Sequence, residues 1–232
     1  MLESLDYTKT YKLQKDDKYR YLLNNKPIVG VTTAIKQGYP KSDRLLRWQI
    51  AQGIKEYETG EKVKAAASIG RSLHAYAEAK TLQRYNDVNV IVAAADSHVD
   101  RVKILNTMTQ FDKWYEKNKP DEILMTEGIL CSWQYRFAGT LDLLVKTKNK
   151  VILRDYKTTS GIYATHWIQL ALYMQGLKEW YNIKVNEIEV VQFSKEGQVN
   201  TQKISDKKII KVFKDQGLRA VETYYFREKY DD

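Results

Sequence analysis

Residues 139–157 read GTLDLLVKTKNKVILRDYK, two strand-like runs separated by the polar turn Lys148-Asn149-Lys150. Strands joined by a short turn pair antiparallel, and this pairing brings Asp142 roughly opposite Asp155. Side chains two residues apart in a strand share a face, so Asp155 projects together with Lys157. The segment therefore predicts two carboxylates and an ammonium group on one side of a sheet.

This predicted grouping is the part of the sequence that indicates chemistry. Two adjacent carboxylates repel each other and raise each other's pKa. A divalent cation removes that repulsion, and Mg²⁺ prefers a few carboxylates together with water and phosphate oxygens. A metal lowers the pKa of its water, while a nearby lysine orients or deprotonates that water or stabilises the developing charge. An Asp-x-Lys pair is also common on exposed sheet faces, so a surface ladder of charges stays open as the alternative.

The composition is that of a folded, basic protein. Of 232 residues, 43% are hydrophobic, and 38 Lys and Arg outnumber 29 Asp and Glu, for a net charge of +9. This surplus favours a polyanionic partner, although a soluble basic protein has the same composition. The single cysteine excludes an intrachain disulfide and a four-cysteine iron–sulfur or zinc site. The polar N-terminus and the lack of a long apolar run predict a cytoplasmic protein without a membrane partner.

The elements expected around the hairpin alternate between helices and strands. Three strands joined by short turns pair antiparallel, so we expect an α/β fold with a mixed central sheet flanked by helices and an N-terminal helical part. A helix is expected after Pro40. The other predicted segments are a hairpin over 18–33, helices over 65–82, 99–119, 165–182 and 206–228, and strands over about 122–133, 135–147, 150–157 and 186–194.

Two pairs of polar residues lie four apart on predicted helices, and residues at this spacing share a helix face. His74 precedes Glu78, and Gln169 precedes Tyr173. A histidine–glutamate pair within a helix, or a glutamine on a solvated face, explains each pair without any chemistry. Neither pair therefore decides the function by itself.

Taken in order, these motifs resemble the motif pattern of a known protein superfamily. The chain resembles the PD-(D/E)XK nuclease superfamily, and more closely its RecB-like exonuclease branch, which includes phage exonucleases, the mitochondrial genome-maintenance exonuclease and CRISPR-associated RecB-like exonucleases. The pattern of that branch is a helical histidine, Gly-x-x-Asp, Asp/Glu-x-Lys and Gln-x-x-x-Tyr. It is matched by Gly70-Arg71-Ser72-Leu73-His74, Gly139-Thr140-Leu141-Asp142, Asp155-Tyr156-Lys157 and Gln169-Leu170-Ala171-Leu172-Tyr173.

The resemblance implies a restriction-endonuclease-like core and a Mg²⁺- or Mn²⁺-dependent DNA exonuclease. It would act on single strands or DNA ends in replication, repair or recombination. The implied metal ligands are His74, Asp142, Asp155 and the backbone carbonyl of Tyr156, with Glu78 orienting the histidine and Glu127 as a supporting acid. The implied catalytic residues are Asp142, Asp155, Lys157, Gln169 and Tyr173. One nuclease domain is expected over 1–232, with an N-terminal hairpin and helical arm (1–66), a catalytic core (67–200) and a basic C-terminal helix (201–232).

The chain also departs from the family pattern. Leu141 replaces the proline of the family name, and Asp155 stands where many relatives have glutamate. The cysteines that hold an iron–sulfur cluster in several relatives are missing, so no cluster is expected. No Gly-x-x-x-x-Gly-Lys-Ser/Thr phosphate loop occurs, so ATP is not an expected cofactor. A helicase or recombination protein is a possible partner.

Basic and aromatic residues outside the motifs are candidates for DNA binding. Lysine and arginine neutralise phosphates, and aromatic rings stack on unpaired bases. The same charges are equally expected on solvated helix faces, and Thr158 follows Lys157 in what is equally an ordinary turn. The candidates are Arg44, Arg47, Trp48, Thr158, Lys207 and Lys211.

Two other functions stay open from the sequence. A structure-specific endonuclease would have the same fold and the same charged residues. A non-catalytic DNA-binding accessory subunit would have the basic surface without cleavage. The presence of Asp142, Asp155 and Lys157 together favours an enzyme, because a subunit without activity has no need to keep all three.

Overall fold

The computed structural model describes residues 12–16, 20–40, 47, 59–84, 98–194 and 197–231. The helix expected after Pro40, with the candidate DNA-binding residues Arg44 and Trp48, lies outside this part of the chain. Arg47 is described as an exposed residue in helical conformation. Within the described ranges, each helix is too short or too polar to cross a membrane.

The described elements follow one another as an N-terminal hairpin, helices, a three-stranded meander, a helix, two strands and a helix. The strands are β1 (Leu13–Lys15), β2 (Tyr21–Leu23), β3 (Lys26–Gly30), β4 (Glu122–Ser132), β5 (Phe137–Thr147), β6 (Lys150–Lys157), β7 (Glu187–Phe193) and β8 (Val199–Ile204). The helices are α1 (Val31–Gly38), α2 (Thr59–Thr81), α3 (His98–Lys117), α4 (Ala164–Tyr181) and α5 (Lys207–Tyr230). The predicted α/β fold with a mixed sheet is confirmed.

The differences from the predicted elements lie near the ends of the sheet. The N-terminal hairpin is present, and its turn residues Asn24 and Asn25 have φ values of 52° and 63°. Val31, however, begins α1 instead of continuing the strand. The sequence pattern does not predict β8, which pairs antiparallel with β7, so the C-terminal segment begins with a strand before its helix. β8 is mostly polar and partly exposed, as an edge strand often is, so it has no apolar run to mark it.

The sheet divides at β5, and this division creates the site described below. β4 pairs antiparallel along one edge of β5. On the other edge, β3 pairs in parallel with Phe137 and Ala138, while β6 pairs antiparallel with residues 143–147. On this edge of β5, residues 139–142 therefore lie between the segment that pairs with β3 and the segment that pairs with β6. β6 continues past this point and pairs in parallel with β7 up to Lys157.

A hydrophobic core lies on each face of the sheet. On one face, α4 packs between the strands and α5, and most of its residues are buried. On the other face, α2 and α3 pack against the sheet, and Phe111 and Trp114 of α3 form an aromatic group with Tyr156 and Phe193 of the strands. Because Tyr156 is anchored in this second core, its neighbours Asp155 and Lys157 are directed toward α4, as strand alternation predicts.

Candidate active site

Asp142 lies in the gap where β5 and β6 separate. The last β5–β6 pair joins Leu143 to Arg154, so Asp142 and Asp155 come next to each other as the hairpin predicts. The alternation of β5 is interrupted here, since Leu141 belongs to the core under α4 and Leu143 to the core under α2 and α3. The Asp142 carboxylate consequently lies in the gap between β5 and β6, where its Oδ2 accepts a hydrogen bond from the Tyr156 N–H at 2.7 Å.

His74 and Glu127 approach Asp142 from two other elements. Leu73 and Ala77 anchor α2 in the core, which directs His74 toward the gap. Its Nδ1 lies 3.3 Å from Oδ1 of Asp142 and 4.0 Å from Oε1 of Glu127. Glu127 has a φ of 45° within β4, a conformation that a side-chain-bearing residue adopts only at a cost and that often occurs at functional sites. One ligand atom from each of the three residues lies within 4.8 Å of the others.

A second group of side chains lies on the α4 side of the gap. The Lys157 ammonium is 2.7 Å from both carboxylate oxygens of Asp155. Gln169 donates to Asp155 at 3.2 Å and to the Tyr173 hydroxyl at 3.1 Å. Tyr173 fits against β5 because residue 139 is glycine: a Cβ there would lie 2.3 Å from its ring. Gln169 and Tyr173 are therefore buried members of the site, and the interpretation of Gln169 as a solvated glutamine is wrong.

Burial and mutual repulsion shift the pKa values of the acidic residues in this gap. Burial, and after it the charge of Asp142, raises the pKa of Glu127 to about 7. Burial also raises the pKa of Asp155, to about 6, against the attraction of Lys157. Burial acts to raise the pKa of Asp142 as well, but His74, Lys157 and the Tyr156 N–H lower it below its ordinary value.

The two cationic side chains respond to the same carboxylates. Burial acts to lower the pKa of His74, but Asp142 outweighs burial and raises it to about 9. Burial likewise acts to lower the pKa of Lys157, but Asp155 and Asp142 raise it above its ordinary value. The carboxylates thus hold a proton on the imidazole, and the site as a whole attracts positive charge.

Residues 45–224 match the family model of the PD-(D/E)XK nuclease superfamily. The chain belongs to this superfamily. Its fold is that of the PD-(D/E)XK nucleases, as the order of the motifs predicts. No curated protein sequence matches the chain.

Several solved structures show a distant likeness to this chain. One is a putative exonuclease from Eubacterium rectale, with 10% identity and a TM-score of 0.46 over 70% of this chain and 65% of that one. The chain thus spans just under two thirds of that protein's length. Another is an exonuclease in complex with dAMP, with 13% identity and a TM-score of 0.37 over 71% of this chain and 95% of that one. A second structure of that same protein, an alkaline exonuclease from Laribacter hongkongensis, has 14% identity and a TM-score of 0.32 over 52% of this chain and 68% of that one.

The donor atoms in the gap between β5 and β6 suit a divalent cation. His74, Glu127 and Asp142 offer an imidazole nitrogen and two carboxylate oxygens, a mixed set that suits Mn²⁺ as well as Mg²⁺. Asp155 is 1% exposed, and its Oδ2 contacts the Lys157 ammonium but accepts no hydrogen bond of good geometry. That oxygen retains lone pairs that a cation would use. The residues present therefore fit the metal that the superfamily implies.

Several residues near the site could not be identified from motif spacing. Glu127 joins the possible metal ligands as a full member, whereas its place in the sequence predicts only a supporting acid. Tyr21 hydrogen-bonds to Thr140 at 2.8 Å, and burial, with a smaller contribution from the Glu127 charge, raises the pKa of its hydroxyl. The N-terminal hairpin thus forms a wall of the site. Tyr21 and Thr140 are 119 residues apart, so no local pattern links them.

The remaining candidates are placed as follows. Glu78 lies 3.9 Å from Arg84, and it is Asp142 that contacts the His74 ring. His166 is not among the three candidate metal ligands, and its Nδ1 accepts the Tyr163 N–H at the start of α4. Burial, with the charge of Lys157, lowers the pKa of His166 to about 3.

The predicted DNA-binding residues Thr158, Lys207 and Lys211 lie beside the gap between β5 and β6 or away from it. Thr158 is half-buried directly after Lys157, and its hydroxyl faces Gly70 of α2. Lys207 and Lys211 are exposed on α5, where Lys211 pairs with Asp215. Since α5 packs mainly on α1 and α4, these lysines do not line the gap between β5 and β6. Their role in DNA binding stays a prediction.

Proposed function

We propose that this nuclease is a Mg²⁺- or Mn²⁺-dependent DNA exonuclease of the RecB-like branch, which hydrolyses phosphodiester bonds in single strands or at DNA ends. The observation that carries the proposal is the cluster of His74, Glu127 and Asp142 on one side of Asp155 and Lys157. A nuclease needs charge that stabilises the attacked phosphoryl group, and this gap collects ligands for a cation beside a fixed ammonium. Replication, repair or recombination is the expected setting.

In the proposed reaction, the metal would be held by His74, Glu127 and Asp142, with Asp155 and the Tyr156 carbonyl as further ligands. A divalent cation bound there supplies Lewis-acid polarisation of a phosphoryl oxygen and lowers the pKa of water. Its binding requires that His74 lose the proton that Asp142 holds in place, since only the neutral ring ligates a metal.

Lys157 would act as a positioned cation. Before a metal binds, Asp155 and Asp142 raise its pKa against the effect of burial, so at neutral pH Lys157 is a protonated hydrogen-bond donor. Gln169 holds Asp155 in place and is itself held by Tyr173, which fixes the position of the ammonium. Lys157 would therefore stabilise the negative charge that develops on the phosphoryl group, with Gln169 and Tyr173 fixing its position. The phosphodiester would lie between Lys157 and the candidate metal ligands.

The test uses the full chain and end-labelled single-stranded DNA with Mg²⁺ or Mn²⁺. Mononucleotides or short products should accumulate, and excess EDTA should abolish them. Lys157→Ala should lower kcat by about a hundredfold or more, the loss typical of one transition-state donor. Lys178→Ala, which removes an exposed lysine of α4, is the matched control and should leave cleavage unchanged. Cleavage that survives Lys157→Ala or EDTA would refute the proposal.

A closed circular single strand separates the proposed exonuclease from an endonuclease of the same fold. An enzyme that requires ends leaves the circle intact and degrades it once it has been nicked. Cleavage of the intact circle would replace the exonuclease proposal with the endonuclease. Salt-sensitive DNA binding without cleavage in either metal would instead indicate an accessory subunit.

A further inference from the structure

One exposed aromatic residue lies close to the candidate active site. Tyr163 is 43% exposed and belongs to the loop between β6, which ends at Lys157, and α4. Among the described residues from 134 to 208, it is the one large hydrophobic side chain that is exposed. A single exposed aromatic residue is ordinary on a protein surface, so exposure alone implies no ligand. What distinguishes Tyr163 is where its ring lies and how firmly the ring is held.

The loop that carries Tyr163 is fixed at the end of β6. Gln192 of β7 donates to the Thr159 carbonyl at 2.7 Å. Tyr163 precedes Gln169, which contacts Asp155, by six residues, or about 9 Å along a helix. That length is about two to three nucleotide steps at 3.4 Å per nucleotide. The ring therefore lies within reach of a base close to a phosphodiester in the gap.

The Tyr163 ring is held on two sides although it is exposed. Its hydroxyl hydrogen-bonds to the Ser160 hydroxyl at 2.7 Å. Its ring centre lies 5.5 Å from that of His166, at an interplanar angle of 67°. His166 is itself buried, and its Nδ1 accepts the Tyr163 N–H at 3.2 Å. Because the ring is already ordered, little conformational entropy is lost when a ligand packs on it.

His166 holds the ring in this way because its imidazole is uncharged. Burial, with the charge of Lys157, lowers the pKa of His166 to about 3, so at neutral pH its Nδ1 accepts a hydrogen bond. The Lys157 charge acts on His166 because the two side chains lie close together. His166 thus connects the exposed Tyr163 ring to the surroundings of the Lys157 ammonium.

A neutral aromatic face beside a cationic site suits the base of a nucleotide and not its phosphate. Phosphates are attracted to Lys157 and to a cation held by the candidate metal ligands. The tyrosine ring carries no charge and offers a π face, on which any unpaired base stacks. A base within a duplex would first have to leave its stack and its pair. The ring therefore suits unpaired bases, whatever their sequence.

We propose that Tyr163 is a stacking platform for the base of an unpaired nucleotide that flanks the scissile phosphodiester. The inference rests on the proposed function, because it requires a DNA strand in the gap between β5 and β6. It adds a preference for single strands to a site whose other groups would contact the phosphodiester backbone.

The test compares two strands that carry the same charge. One is an oligothymidylate, and the other is an oligomer of abasic deoxyribose phosphates of equal length. Fluorescence anisotropy in EDTA measures their binding without cleavage. Tyr163→Ala should weaken binding of the oligothymidylate by about fivefold or more, the loss expected of one stacked base, and should leave binding of the base-free strand unchanged. An equal effect on both strands, or on neither, would overturn the proposal.

Two further variants separate the aromatic face from the packing of the side chain. Tyr163→Phe keeps the ring, so its affinity for the oligothymidylate should stay within about threefold of the unmodified protein. Tyr163→Leu fills a similar space without a π face, so it should bind as weakly as Tyr163→Ala and decides the question should the alanine variant fail to fold. Normal binding by the leucine variant, or a phenylalanine variant as weak as the alanine one, would overturn the proposal.

The matched control is Tyr230→Ala, which removes a tyrosine that is 62% exposed at the end of α5. It should bind both strands as the unmodified protein does. A loss for the oligothymidylate equal to that of Tyr163→Ala would show that any exposed tyrosine has this effect and would overturn the proposal.

Cleavage assays separate this proposal from the proposed function. Selective loss of oligothymidylate binding in Tyr163→Ala, with no cleavage by the unmodified protein in Mg²⁺ or Mn²⁺, would support the platform and refute the exonuclease. Cleavage of single-stranded DNA, with binding of both strands unchanged in Tyr163→Ala, would leave the exonuclease standing and refute the platform.

Discussion

At the scale of single residues, raised pKa values favour the protonated forms of two candidate metal ligands. His74 is protonated at neutral pH because Asp142 raises its pKa to about 9. Glu127 is partly protonated near neutral pH because burial raises its pKa to about 7. A metal must displace both protons before it binds these ligands. The state of two side chains therefore couples metal affinity to pH.

We expect Mn²⁺ affinity to rise with pH until about 9 and binding to release protons between pH 6 and 9. The sign follows from the pKa values: below about 7 Glu127 is neutral, and below about 9 His74 is charged, and neither form ligates a metal. Calorimetry in two buffers of different ionisation enthalpy measures the released protons. Glu127→Gln should release fewer protons and bind Mn²⁺ at least about tenfold more weakly.

Glu116→Gln, which alters an exposed glutamate of α3, is the matched control for this prediction. It should bind Mn²⁺ with unchanged affinity and unchanged proton release. Metal binding that is independent of pH in the unmodified protein would show that His74 and Glu127 are not ligands.

Gln169 is expected to act through Asp155, because its amide donates to that carboxylate and to Tyr173. Gln169→Leu keeps the size of the side chain but removes both hydrogen bonds, so Asp155 and Lys157 become less well positioned. We predict that kcat falls by about tenfold or more while KM changes little, since transition-state contacts are lost and binding contacts are not. Gln175→Leu on the same helix should have no such effect on kcat. A change in KM alone would place Gln169 in substrate binding.

At the scale of elements, the position of Asp155 depends on the pairing of β6 with β7. Arg154, the residue before it, is 3% exposed and forms a 2.6 Å ion pair with Glu189, which is fully buried. Arg154 also donates to the Asn118 carbonyl and lies over the Trp114 ring. The pair therefore links β6, β7 and α3 directly beneath the active site.

Glu189→Ala should reduce the free energy of unfolding by about 3–5 kcal/mol, because it leaves the Arg154 charge buried without its partner. Glu187→Ala, on the same strand, is the comparison. Glu187 contacts Lys150 and Lys203 only at 3.6 Å, and those lysines are half-exposed, so the loss there should be about 1 kcal/mol or less. Urea denaturation of both variants measures the difference. Equal losses would mean that the Arg154–Glu189 pair contributes no more than a surface contact.

At the scale of the whole molecule, the features that could be predicted from the sequence are those set by residues close together in the chain. The short turn at Lys148 sets the register that brings Asp142 next to Asp155, and strand alternation then adds Lys157. The positive φ of Glu127 and the interruption of alternation in β5 come from how two strands separate, which no local pattern records. Tyr21 reaches the site from an element far away in the chain, so only the assembled sheet shows it.

The three candidate metal ligands lie on three separate elements of the fold, so a bound cation should raise the stability of the whole molecule. His74 lies on α2, Glu127 on β4 and Asp142 on β5, so a cation bound by all three ties the helical layer to the sheet. A ligand at a hundredfold excess over its Kd stabilises the folded state by about 2.7 kcal/mol. For a chain of this size that corresponds to a rise in Tm of about 5–10 °C.

Differential scanning calorimetry with increasing Mn²⁺ should show this rise. His74→Ala should abolish most of it, because the helical layer then contributes no ligand. Lys157→Met should keep or enlarge it, since removing the ammonium removes a positive charge that competes with the metal for Asp155. A shift that is the same in His74→Ala and the unmodified protein would mean that the ion binds elsewhere on the surface, and α2 would then have no part in holding the metal.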